Sequence, residues 1–201
     1  GRRNYNNTAE WSSYYNSAEE NTVRIKITPS TKNRTPMDSS LCKPIETWYT
    51  DGLDWFYNPL YIREGLQEFY SKTGVQPYLY VTDNADGVKN PSYAQIEAFE
   101  YKLYEELFSY EEDGERVLDE GHLLLFFIYN QGNGSWLDYC FIGDNTVSVM
   151  DDEACDILTD YIDAYLEGYR YNSLYSTPDE AFGAAFRDAA SRIMGGVQRA
   201  R

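Results

Sequence analysis

Hydrophobic residues recur at steps of three and four in four segments of the chain, and this period predicts amphipathic α-helices. Start and stop signals frame these segments: Asn58-Pro59 and Thr177-Pro178 open two of them, and Gly74 ends the first. Each helix would bury one face against a shared core. The predicted helices cover residues 59–73, 92–110, 151–168 and 178–194.

Other segments have the pattern of β-strands. Residues 23–27 alternate strictly between apolar and cationic side chains, and residues 75–81 form a second strand-like run. Residues 122–129 are almost continuously apolar, which is typical of a central strand covered on both faces. The turn Gln131–Gly134 then predicts an antiparallel hairpin between this strand and residues 136–142.

The order of these elements predicts the fold class. Strands that alternate with helices indicate an α/β fold, here a small mixed β-sheet with helices on both faces. The main domain is predicted over residues 45–196, after an arm, a strand and a proline-rich connector in residues 1–44. Residues 111–120 form an acidic connector ahead of the central strand, and residues 197–201 form a basic tail.

Composition and charge narrow the possible functions. The chain has 17 Lys plus Arg and 33 Asp plus Glu, so its net charge is −16. This charge excludes a nucleic-acid backbone as partner, because such a protein needs a basic stripe to displace counterions. No window of the sequence is apolar for the ~18–20 residues that a membrane span needs. The 3 cysteines form no C-x-x-C motif; buried free thiols are favoured, and one disulfide remains possible.

Familiar catalytic motifs are missing from the sequence, including the phosphate-binding glycine loops and the zinc-binding H-E-x-x-H pattern. The one histidine, His122, is predicted to be a structural residue at the start of the central strand. Candidate chemistry therefore rests on carboxylates at the ends of elements, where several loop oxygens could hold a hard cation. An ordinary solvated acidic rim is the alternative. These carboxylates are Asp51, Asp54, Asp119, Glu120, Asp144, Asp151 and Asp152.

Over about residues 48–194, the order and spacing of the elements resemble the TPM-domain family of membrane-tethered or lumenal α/β domains. Asp51 resembles the family's acid before the first helix, and Thr73-Gly74 resembles its step into a strand. Asp119-Glu120-Gly121 stands where the family has Asp-Asn-Gly, and Asp152 stands where it has Thr-Asp-Ala. Glu120 thus replaces the family's Asn, and the glycine-rich turn after the second hairpin strand is also replaced.

The resemblance implies a divalent-cation site for calcium. Its ligands would be Asp51, Asp119 and Asp152, with further support from Glu120 and Asp151, all converging on one edge of the sheet. The family also implies an extracytoplasmic location and a hydrophobic membrane anchor outside these residues. We further expect a protein partner, whose identity the sequence does not indicate.

Three hypotheses about function follow. The first is a membrane-tethered, extracytoplasmic accessory or binding module with the calcium site. The alternative is a weak metal-dependent acid phosphatase, for which we expect absent or very slow turnover because no glycine loop or arginine pair would bind the phosphate. The third is an aromatic-rich surface for glycan or protein contact, which rests on 20 Tyr and 4 Trp.

Overall fold

The structure, a computed structural model, describes residues 26–197 and the backbone of residues 3–6. Within these residues it contains seven strands and four α-helices. In chain order they are β1 (Arg3–Asn6), β2 (Tyr49–Asp51), α1 (Pro59–Thr73), β3 (Gln76–Thr82), α2 (Tyr93–Phe108), β4 (Ser109–Glu112), β5 (Glu115–Leu118), β6 (His122–Tyr129), β7 (Trp136–Ile142), α3 (Asp152–Asn172) and α4 (Pro178–Met194).

The main sheet has five strands in the order β1-β7-β6-β3-β2. Strands β2, β3 and β6 are parallel, whereas β7 is antiparallel to both β6 and β1. Strands β3 and β6 are interior strands, as their apolar sequences predict. The predicted mixed α/β fold is therefore confirmed.

Helices cover both faces of this sheet. On one face, α1, α3 and α4 pack over a core that includes Ile62, Leu66 and Phe69 of α1. On the other face, α2 buries Leu103 and Tyr104 against the alternate side chains of β3, β6 and β7. The continuous apolar run of β6 follows from this arrangement, because a strand covered on both faces has no side for polar residues.

Local sequence signals mark both ends of α1 and the turn of the β6–β7 hairpin where they were predicted. The Asn58 side chain accepts a hydrogen bond from the Leu60 amide at the start of α1, and Gly74 ends that helix with φ of 76°. The predicted hairpin is also confirmed, because β6 and β7 pair antiparallel with Tyr129 opposite Trp136. The amide of Asn130 donates to the carbonyl of Ser135 at the base of its loop.

Two element predictions were wrong. Helix α3 does not stop at Gly168 but continues to Asn172, and Ser173 ends it in the left-handed conformation. Gly168 is buried within the helix and does not end it. The helix predicted over residues 92–110 ends at Phe108, and residues 109–118 form the hairpin β4–β5 at the end of that segment and in the acidic connector. Its turn residues Asp113 and Gly114 have φ of 52° and 79°. Asp-Gly is a known hairpin signal, and the sequence interpretation missed it.

The start of the chain also differs from expectation. Residues 3–6, predicted to be part of an arm ahead of the main domain, form the edge strand β1. Of the strand predicted over residues 23–27, residues 23–25 lie outside the described residues, and Lys26 and Ile27 are not in a strand. The basic tail from residue 198 onward also lies outside them.

Residues 28–44, which we call the strap, run along the α1/α3/α4 side of the domain. The Thr28 hydroxyl donates to Asp160 at 2.6 Å, and the Met37 amide donates to the Thr73 carbonyl at 2.8 Å. Met37 and Cys42 are buried in the core. The strap thus contributes to packing, although the sequence placed it ahead of the main domain, whose boundaries stay a prediction.

Candidate functional site: an aromatic cleft at the carboxyl edge of the sheet

Because β2, β3 and β6 are parallel, their carboxyl ends meet at one edge of the sheet, which we call the carboxyl edge. Open α/β sheets bind ligands at this edge. A cleft of about 400 Å³ lies there. This volume falls in the ordinary range for small-molecule sites. We call it the aromatic cleft, because its lining includes Trp55, Tyr57, Tyr129, Trp136 and Tyr169.

The loop between β2 and α1 forms one wall of the aromatic cleft and is held at both ends. The Asp51 carboxylate accepts hydrogen bonds from the amides of Trp55 at 3.0 Å and Phe56 at 2.9 Å. The Asn58 amide donates to the Asp179 carboxylate at 2.8 Å, which ties the loop to the start of α4. These bonds position Trp55, whose ring centroid is 4.7 Å from that of Tyr129 in an edge-to-face contact.

Two buried acids, Asp138 and Asp163, lie beneath Trp136 of the cleft. The indole nitrogen of Trp136 donates to the Asp163 carboxylate at 2.9 Å. Asp138, two residues along β7, is fully buried. Burial and then the charge of Asp163 raise the pKa of Asp138 well above its usual range. The sequence interpretation missed this pair, although an acid inside an apolar strand run was a visible signal.

Two charged residues of opposite sign also line the cleft. Asp54 is exposed and lies in the left-handed backbone region with φ of 54°. Arg170 donates a hydrogen bond to the Gly134 carbonyl, and its guanidinium lies 3.4 Å from the Tyr129 hydroxyl. Within the described lining, the formal charges of Asp54 and Arg170 therefore cancel.

The structure does not bring the predicted metal ligands together. Asp51 ends β2 at the carboxyl edge and is level with Phe127 of β6. Asp119 precedes His122, the first residue of β6, and therefore lies at the opposite, amino edge. About five residues of β6, roughly 17 Å, separate the two levels. Because Asp51 follows one parallel strand and Asp119 precedes another, the predicted convergence at one edge was wrong for this pair.

The other predicted ligands lie with Asp119 at the amino edge. Glu120 is half-buried there, and its carbonyl accepts a hydrogen bond from the Asn145 amide at 3.0 Å. Asp151 caps α3 by accepting from the Ala154 amide, and Asp152 is exposed in the first turn of that helix.

Hydrogen bonds within the protein occupy the two best-placed acids of the amino edge. Asp119 accepts from the amides of Lys43 and Gly121, and Asp151 pairs with Arg34 at 2.9 Å. Throughout residues 26–197, no group of three or more His, Cys, Asp and Glu side chains is placed to hold a metal ion. Calcium binding stays a prediction of the family resemblance.

His122 opens β6, as predicted, and is buried at the amino edge against the ring of Phe108, with the two centroids 4.0 Å apart. Its Nε2 lies 3.4 Å from an Asp119 oxygen, 3.1 Å from the Lys43 carbonyl and 3.8 Å from the Cys42 sulfur. In a catalytic relay, one ring nitrogen contacts the nucleophile and the other contacts the carboxylate. In this protein all three contacts are made by Nε2. His122 therefore fastens the strap to the start of β6.

The stability of the fold should depend on the charge of His122. Burial lowers its pKa, but the hydrogen bonds with Asp119 and Cys42 outweigh burial and raise the pKa to about 9. The unfolded value is about 6.5. The resulting stabilisation is fully present below pH ~6.5 and is lost as the pH rises through about 9.

We expect the melting temperature to fall between pH 7 and 10, and to fall less steeply in His122→Gln, whose side chain does not titrate. Thermal unfolding of both proteins across this range measures the two slopes. Equal slopes would contradict a charged His122 in the native state.

The protein is thus a mixed α/β domain with a ligand-sized aromatic cleft at the carboxyl edge of its parallel strands. In comparisons with known proteins, no family model, no curated protein and no solved structure matches the chain. Membership in the TPM-domain family stays a prediction. Among the helices of the described residues, none has the length and apolar character needed to cross a membrane.

Proposed function

We propose that this protein is a binding module whose aromatic cleft takes a neutral saccharide. The observation that carries the proposal is the lining of the cleft, in which aromatic side chains surround two charges that cancel. Aromatic surface combined with a few well-placed polar groups is the usual composition of a small-molecule site.

The chemistry of the lining favours a sugar ring over other ligands. One face of a pyranose carries C–H groups that pack against an aromatic ring, and its hydroxyls can bond to a carboxylate or a guanidinium. Trp55 and Tyr57 provide the aromatic rings. Asp54 provides the carboxylate and Arg170 the guanidinium. An anion would be repelled by the net charge of −16, and a small cation would meet the guanidinium of Arg170.

The family resemblance adds context to this proposal. It supports an extracytoplasmic, membrane-tethered module with calcium as a bound ion, and glycans are abundant outside the cytoplasm. The calcium part rests on the resemblance alone, since the geometry separates Asp51 from the four acids of the amino edge.

Replacement of Trp55 tests the saccharide site. We expect Trp55→Ala to weaken binding at least ~10-fold, about 1.4 kcal/mol, because it removes a stacking face of the cleft. Titration of neutral gluco-, galacto- and N-acetylhexosamine oligosaccharides, followed by ligand-observed NMR, measures this loss. Trp48→Ala is the matched control, because Trp48 is also half-buried but packs against Tyr70 away from the cleft lining.

The same preparations separate the binding module from the phosphatase alternative. No binding of any of these saccharides, or an equal loss in both tryptophan variants, would contradict the proposed site. Calcium- or magnesium-dependent hydrolysis of a phosphomonoester that disappears in Asp119→Ala would support the enzyme instead.

A further inference from the structure

We propose that Cys140 and Cys155 form a stabilising intrachain disulfide between β7 and α3. The two sulfur atoms lie 2.8 Å apart, and both side chains are completely buried. This separation is well inside the van der Waals contact of two sulfur atoms and approaches the ~2.03–2.05 Å of a disulfide bond. Two separate thiols would have to move apart, whereas a bond needs the sulfurs to come closer.

The surroundings fix the partners of this bond. Cys140 lies on the face of β7 that α3 covers, and Cys155 lies in the first part of α3. The third cysteine, Cys42, is at the amino edge, where its sulfur contacts His122 at 3.8 Å. Since Cys42 has a different neighbour, the geometry selects Cys140 and Cys155 as the pair.

The reaction is an oxidation of two thiols by a low-molecular-weight disulfide such as oxidised glutathione. Two S–H bonds of the protein and the S–S bond of the external disulfide break, and one S–S bond forms in the protein. The two protons and two electrons pass to the external disulfide, which becomes two thiols. The attacking species is a thiolate. Both thiols are completely buried in the folded protein, out of reach of an external disulfide, and burial also raises the pKa of Cys155 well above its usual range. The bond must therefore form during folding, before α3 packs on β7.

Closing this short loop should raise the stability of the fold. Cys140 and Cys155 are 15 positions apart in the sequence (155 − 140). By the chain-entropy relation, a loop of about this length should raise the melting temperature of a domain of this size by roughly 6–12 °C. The reduced protein remains folded in this picture, because two buried thiols pack as small apolar groups.

Refolding under defined redox conditions tests the proposal. The denatured, reduced chain is refolded in a mixture of reduced and oxidised glutathione or in excess dithiothreitol. In glutathione we expect a product two hydrogens lighter, with one titratable thiol after unfolding, a Cys140–Cys155 link in peptide mapping and the higher melting temperature. In dithiothreitol we expect all 3 thiols to titrate.

Alanine variants of single cysteines test which two cysteines form the bond. Cys42→Ala should still show the mass loss and the thermal shift, whereas Cys140→Ala should show neither. Three titratable thiols after refolding in glutathione, a bond to Cys42, or a Cys140–Cys155 bond that fails to raise the melting temperature would each overturn the proposal.

Discussion

Replacing Gly65 with alanine is expected to lower the free energy of unfolding by about 3 kcal/mol, the upper part of the range for overpacked cores. Helices α1 and α4 cross at this residue with their backbones in contact. A Cβ atom on Gly65 would overlap the Gly183 carbonyl, and one on Gly183 would overlap the Tyr61 carbonyl. Because the neighbours are backbone atoms inside helices, no side-chain rotation relieves the overlap.

Whether Gly65→Ala lowers or raises the free energy of unfolding shows whether tertiary packing or helix propensity dominates at this position. In an exposed helix, alanine in place of glycine would stabilise the protein by about 1 kcal/mol. Denaturant unfolding of Gly65→Ala and of Gly132→Ala measures the difference. At Gly132 the nearest neighbour of a new Cβ is the movable side chain of Asn130, at 3.1 Å, and we expect little change. A neutral or stabilising Gly65→Ala would show that the α1–α4 crossing is looser than described.

Replacing Arg34 with alanine is expected to destabilise the fold by about 3 kcal/mol, the lower part of the range for breaking a buried ion pair. The Arg34 side chain is 1% exposed and donates to both oxygens of Asp151 and to Glu153. Its removal would leave two partly buried carboxylates facing each other at the start of α3 and would release the strap. The lower value applies because about a fifth of each carboxylate side chain is exposed to water.

Lys32 provides the matched control for Arg34. Its amine lies 3.5 Å from the same Asp151 carboxylate, but its side chain is 58% exposed. Exposed pairs of this kind contribute about 0–1 kcal/mol. We therefore expect Lys32→Ala to change the denaturant midpoint only slightly, with the slope of the transition unchanged. Similar losses in Arg34→Ala and Lys32→Ala would mean that the charge near Asp151, rather than the buried geometry, stabilises the strap.

The candidate site was less accessible to sequence reasoning than the fold. The aromatic residues of the cleft come from four separate parts of the chain, and nothing in their spacing relates Trp55 to Tyr169. Asp51 was selected for its carboxylate, yet its contacts show a loop-positioning role through the amides of Trp55 and Phe56. A short-range hydrogen bond of this type has no signature in composition beyond an acid followed by a turn.

The local elements of the fold could be predicted from neighbouring residues alone. Asn58 and Gly74 bound α1, and the apolar run of β6 predicts a central strand, because capping, backbone conformation and the period of burial act over a few neighbouring residues. Which ends of these elements meet is apparent only in the packed fold. Asp51 and Asp119 lie at opposite edges, and Cys140 and Cys155 touch, because strand direction and register depend on packing between residues far apart in the chain.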